Sequence, residues 1–186
     1  MKKISILVFA LLGFFAFNAQ AQINVGATIG AQIPMGDFSN DLKTGFGINA
    51  VGKYMLNENM ALGLNLGYSK FGTDIDGLSC SMMPVTALFE YYFGDGNVKP
   101  FLGADLGLYN YNAKVEYTIM GQSQSSSDSK SYLGFAPTVG ILCDLNDNFS
   151  LLANLKYNYV MSKDDATGES AATWLGINVG AIFRIN

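Results

Sequence analysis

The sequence predicts an all-β chain: an eight-stranded antiparallel up-and-down transmembrane β-barrel. Three observations carry that expectation. Large apolar residues alternate with small or polar ones along nearly the whole chain, the period-2 signature of strands with two unlike faces. The turn-rich segments between these runs are alternately short and long, as expected when strands cross a membrane back and forth. The composition is 49% hydrophobic and only 14% charged, with 21 glycines and four prolines, yet no segment after the first resembles a membrane-spanning helix.

The first segment reads as a signal peptide, residues 1–21. Met1-Lys2-Lys3 supplies a positive start, and Ile4 to Phe17 is an apolar run interrupted only by Ser5. Asn18-Ala19-Gln20-Ala21 then offers the small-x-small pattern read by signal peptidase, so cleavage is expected after Ala21. Residues 22–186 form the expected barrel domain. Two of the 11 basic residues, Lys2 and Lys3, leave with the leader, which increases the excess of the 15 acidic residues. An acidic chain without a basic patch argues against nucleic acid as a partner. An exported, strongly apolar chain without a spanning helix points to the outer membrane.

The strands follow in order, with starts expected near Gln22, Thr44, Met60, Met83, Lys99, Ser131, Phe149 and Thr173. In the first, Ile23, Val25, Ala27, Ile29, Ala31 and Ile33 alternate with Asn24, Gly26, Thr28, Gly30 and Gln32. The third sets Leu62, Leu64, Leu66 and Tyr68 against Gly63, Asn65, Gly67 and Ser69. The fifth repeats the split with Leu102, Ala104, Leu106 and Leu108, the seventh with Leu151, Ala153, Leu155 and Tyr157. The last opposes Leu175, Ile177, Val179, Ala181, Phe183 and Ile185 to Gly176, Asn178, Gly180 and Arg184.

Short connections fall at Asn57-Glu58-Asn59, Gly94 to Val98 and Asp144 to Asn148, all rich in turn formers. Long ones are expected at Pro34 to Lys43, Gly72 to Met82, Asn110 to Lys130 and Ser162 to Ala172. The third carries the low-complexity run Gln122 to Ser129, which reads as a mobile loop tip. Backbone groups in lipid must all be paired, so the sheet is expected to close. The large residues then face lipid and the small and polar ones a narrow lumen. Tyr54, Tyr91, Phe93, Phe149 and Phe183 mark an aromatic girdle on the short-turn side. Phe46, Tyr68, Phe135, Tyr157 and Tyr159 mark one on the loop side.

The strand pair Pro84 to Phe93 and Lys99 to Gly107, joined by a short turn, and the ending Gly180 to Ile185 resemble a known family. They are similar to the small eight-stranded outer-membrane barrels: the OmpA transmembrane domain, OmpX and the opacity-type "porin family" proteins. The resemblance covers Gln22 to Asn186. It implies outer-membrane lipid as the surroundings and the barrel-assembly machinery as a partner during biogenesis, with Asn186 standing where the terminal strand signal carries an aromatic.

The assigned faces turn Lys53, Glu90, Asp105, Lys156 and Arg184 inward. Three cations and two anions in so narrow a lumen demand pairing. Lys53, Glu90 and Arg184 are expected toward the short-turn end, Asp105 and Lys156 deeper. An ion-pair plug is the expectation; a gate admitting small solutes or ions is the sharper alternative. Gly26/Gly30, Gly63/Gly67, Gly103/Gly107 and Gly176/Gly180 each lie four apart on the lumen face, where they make room for larger neighbours.

With no histidine, Ser-His and Cys-His dyads and His-ligated metals are excluded. Glu90 and Asp105 without a cleft do not make a hydrolytic pair, so no enzyme, catalytic residue or cofactor is assigned. Asp74/Asp76 and Asp164/Asp165/Glu169 lack EF-hand spacing and read as solvated loop charge, so no metal site is assigned either. Cys80 and Cys143 are expected at opposite ends of the barrel, beyond disulfide reach, as two free thiols. The functional expectation is a non-enzymatic barrel with a structural or surface-interaction role through its loops. A narrow passive pore is the first alternative. A soluble, lipocalin-like ligand-binding barrel, with the faces reversed, is the second.

Overall fold

The computed structural model describes residues 22–73, 78–119, 122–161 and 171–185. The leader, Asp74/Asp76 and Asp164/Asp165/Glu169 lie outside them. Eight strands form one closed antiparallel barrel in sequence order: β1 (Ile23–Met35), β2 (Leu42–Asn57), β3 (Met60–Thr73), β4 (Leu78–Tyr92), β5 (Val98–Ile119), β6 (Gln122–Asp144), β7 (Phe149–Met161) and β8 (Ala172–Ile185). Closure is made by β1 against β8, thirteen partners from Ile23↔Ile185 to Met35↔Thr173. No edge is left within the wall, which is what lipid demands of a spanning sheet.

The alternation in sequence becomes two faces of one sheet. Outward residues include Ile29, Leu64, Leu66, Leu106, Val139 and Val179, all exposed. Asn24, Thr28, Gln32, Lys53, Asn65, Glu90, Asp105 and Asn178 are buried inside. Large apolar side chains on the outside and polar ones within are the reverse of a soluble ligand-binding barrel. The ten girdle aromatics all lie on the outward, exposed or half-exposed face.

Turn chemistry closes the short end. The Asn57 side chain accepts from the Asn59 amide at 2.9 Å, and the Asn146 side chain from the amides of Asn148 and Phe149 at 3.0 and 2.9 Å. Gly94, at φ +83°, supplies the left-handed residue of the second turn.

Two expectations about strand length need correction. The second long connection is shorter than expected, because β4 begins at Leu78 rather than Met83. The third is a strand hairpin: β5 and β6 stay paired from Val98↔Cys143 to Ile119↔Gln122, so the serine-rich run is strand. Serine and glutamine are poor strand formers in isolation, and a composition-based reading gives loop. Continuous registration with β5, itself alternating through Tyr109, Tyr111 and Ala113, carries the ladder upward.

The lumen also differs from a purely small and polar interior. Phe71, Met82, Tyr109, Val160 and Trp174 form a buried apolar layer at the loop end, against which Phe38 of the short helix α1 (Phe38–Asp41) packs. Tyr92, Phe101, Leu142, Leu152 and Ile182 form another toward the turn end. Inward glycines make these bulky residues possible. A Cβ on Gly140 would meet the Phe101 ring at 2.5 Å, and one on Gly134 the Tyr109 ring at 2.8 Å.

Candidate functional site

Between the two apolar layers lies a polar layer, the candidate site. Strand alternation positions its members. Lys53 on β2, Asn65 on β3, Thr86 and Glu90 on β4, Asp105 on β5 and Lys156 on β7 occupy inward positions of their strands. Lys53 Nζ lies 2.6 Å from a Glu90 oxygen with both side chains nearly inaccessible. Its other contacts are the Tyr92 hydroxyl at 3.2 Å and the faces of the Phe101 and Tyr92 rings, 5.7 and 6.0 Å to their centroids. The Tyr92 hydroxyl in turn donates to Glu90. The carboxylate is thus held by a cation and a hydroxyl, the compensation a buried charge requires.

The second pair is Lys156 with Asp105, at 2.8 Å. Thr86 donates to the same Asp105 oxygen at 3.0 Å, and the Asn65 amide donates to Thr86 at 3.4 Å. Arg184 stands apart. It pairs with Asp144 and donates to Ser150 at 3.1 Å and to the Asp147 carbonyl at 3.2 Å, while Lys99 approaches Asp144 at 3.3 Å. The five sequence-designated residues therefore fall into two buried pairs and one arginine whose partner the sequence reading missed. Asp144 sits at the end of β6, where it reads as turn; β7, paired with both β6 and β8, brings Arg184 beside it. Tyr92 and Thr86 were missed as well, although both lie on the inward face of β4 with Glu90.

A third polar chain runs down the β8–β1 side. The Trp174 indole donates to Gln32 at 3.1 Å, the Gln32 amide to Asn178 at 3.0 Å, and the Asn178 amide to Asn154 at 2.9 Å. Among these groups the interior cavity measures about 10 Å³, lined by Lys53, Asn65, Glu90, Thr138, Lys156 and Asn178 among others. That is room for roughly one water molecule. Asn65 Oδ1 is buried there without a donor among the described residues. Chemically, the site neutralises charge and fills space, with a cavity of about 10 Å³ among the described residues.

Cys80 lies buried at the loop end of β4, its sulfur 3.4 Å from the Tyr111 hydroxyl. Cys143 lies at the turn end of β6, opposite Val98 and Leu151. Both are free thiols.

The chain matches the family described as outer membrane protein beta-barrel domain over residues 7–183. Among solved structures it is similar to Neisserial surface protein A (NspA), at 18% identity, covering 88% of this chain and 97% of that one with a TM-score of 0.63. The attachment invasion locus protein Ail of Yersinia pestis, solved with the heparin analogue sucrose octasulfate, gives 18% identity, coverages of 89% and 99% and a TM-score of 0.56. The N-terminal β-barrel domain of Pseudomonas aeruginosa OprF gives 15%, 89% and 100%, and 0.54. Identities this low show a shared fold. No curated protein sequence matches the chain. A closed eight-stranded wall with an apolar exterior, together with a family match over nearly its whole length, makes this chain a member of the outer membrane protein β-barrel domain family, resident in the outer membrane.

Proposed function

We propose that the protein is a non-enzymatic, non-conducting outer-membrane barrel whose work is structural or done at the cell surface through its loop-end strands. The observation that carries this reading is the filled lumen. Two neutral ion pairs, Lys53–Glu90 and Asp105–Lys156, occupy the middle, closed above and below by apolar layers around Trp174 and Phe101. Eight strands enclose only enough space for side chains. On this reading the five charged residues Lys53, Glu90, Asp105, Lys156 and Arg184 plug and staple the barrel. Residues 1–21 serve as the cleaved export signal, and the barrel-assembly machinery inserts residues 22–186. That Ail was solved with a heparin analogue supports a surface-facing role for a protein of this fold.

Planar-bilayer recording of the refolded protein tests it. Wild type is expected to insert without discrete conductance steps, and Glu90→Ala with Asp105→Ala to remain silent because both apolar layers persist. Stable steps in the wild type would replace this reading with a narrow passive pore, and steps appearing only in the double variant would make the pairs a gate.

A further inference from the structure

The polar layer in the middle of the lumen leaves two acceptors beside one cavity. Glu90 receives Lys53 Nζ at 2.6 Å and the Tyr92 hydroxyl, and both contacts fall on one oxygen, Oε2. Among the described residues nothing donates to its Oε1. On β3, buried Asn65 donates its amide to Thr86 at 3.4 Å, while its Oδ1 has no donor among the described residues. The orientation of that amide is fixed by its neighbour. The Thr86 hydroxyl proton is committed to Asp105 at 3.0 Å, so Thr86 can only accept from Asn65, and the NH₂ side must face it. Oδ1 is left over. An amide oxygen taken out of water without a donor is destabilising, and native interiors seldom keep one so.

Asn65 and Glu90 line the same cavity of about 10 Å³, together with Lys53 and Lys156. Both ammonium groups are already paired, Lys53 with Glu90 and Lys156 with Asp105 at 2.8 Å. Lys156 Nζ uses one of its three donors on Asp105, so N–H groups remain in excess. An occupant of this cavity must be the size of one water molecule, donate twice and accept at least once. A metal cation donates nothing and would meet two ammonium groups; an anion would meet the Glu90 carboxylate. A water molecule meets every condition, with two O–H donors and two lone pairs.

We propose that the cavity is a binding site for a single water molecule, which donates to Asn65 Oδ1 and Glu90 Oε1 and accepts from Lys156 Nζ. Asn65 is its positioning residue, held by Thr86. The Lys53–Glu90 and Asp105–Lys156 pairs have no hydrogen bond to each other among the described residues. The water joins them into one network. This site rests on the filled-lumen reading above and deepens it: the charged residues brace the barrel as a unit rather than as two separate pairs.

Crystals of the wild-type barrel that show ordered waters, compared with Asn65→Leu, test the site, each protein first shown to be folded by its heat-dependent gel mobility. One density peak is expected in the wild type, about 2.7–3.2 Å from Asn65 Oδ1, Glu90 Oε1 and Lys156 Nζ. Leucine is similar in volume and offers no acceptor, so the peak is expected to vanish in the variant. No peak in the wild type, or an unchanged peak in Asn65→Leu, would overturn the inference; the wild-type map alone decides it should the variant not fold. Joining of the pairs is read from urea titrations followed by Trp174 emission. Glu90→Gln and Asp105→Asn together are expected to change the unfolding equilibrium constant by a factor at least about twofold away from the product of the two single factors. With Asn65→Leu added to each protein, the factors are expected to multiply. Equal coupling in both backgrounds would show that the pairs act on each other without the water, and the bridging role would fall. Discrete conductance steps in a wild type that carries the peak would remove the non-conducting reading and leave the water site standing; a silent barrel without the peak would do the reverse.

Discussion

Lys53 shows what a single residue costs and gains in this interior. Its ammonium is almost inaccessible and is held by Glu90, the Tyr92 hydroxyl and two ring faces. Removing one partner of a buried pair leaves the other charge uncompensated, at about 3–5 kcal/mol. Glu90→Ala is therefore expected to lower stability by about that amount in urea titrations of the refolded protein, followed by emission of the single tryptophan, Trp174. Replacing both Lys53 and Glu90 by methionine removes charge and partner together and is expected to cost much less. Equal losses in the two variants would show that the pair stabilises the barrel beyond mutual neutralisation. The inward direction of all five designated charges was legible from alternation alone. Their partners were not, because Arg184 and Asp144 lie on β8 and β6 and share no local signal.

At the scale of the element, proline shapes the wall. Pro84 faces Gly67 where β3–β4 bridges are missing, and Pro137 marks the matching break between β6 and β7. A Cβ on Gly67 would lie 2.7 Å from the Pro84 ring, so the glycine makes room for it. Near the second break, side chains take up backbone groups: Asn158 donates to the Lys156 carbonyl at 3.3 Å and Thr138 to the Ala136 carbonyl at 3.4 Å. Pro137→Ala supplies the missing N–H. The gained bond, about 0.5–1.5 kcal/mol, is largely offset by greater freedom of the unfolded chain, about 0.4–1 kcal/mol. Little net change in stability is expected, together with slow hydrogen exchange at the new residue-137 amide. Fast exchange there would show that the ladder is open for a reason other than proline. The sequence announces both prolines, but which neighbouring strand loses a bond depends on register.

Over the whole molecule, closure governs behaviour. Thirteen β1–β8 partners seal the wall, and no backbone edge within it is exposed to lipid. The purified barrel is expected to resist SDS at room temperature and to run at a different apparent mass before and after boiling. Identical mobility in both states would contradict a closed, SDS-resistant wall. Non-reducing and reducing gels are expected to agree, because Cys80 and Cys143 occupy opposite ends of the barrel.

Local alternation was enough to read the number of strands, their faces, the outward girdles and the inward charges. Each is a consequence of local period-2 geometry, which needs no knowledge of distant residues. The assembled barrel settled three other things. It filled the lumen with Tyr92, Phe101, Tyr109 and Trp174 opposite inward glycines, it joined Arg184 to Asp144, and it extended β6 through a serine-rich run that reads locally as loop. These depend on which strands become neighbours and in what register. Cross-strand pairing couples residues far apart in sequence, and an isolated strand carries no record of the side chain it will meet.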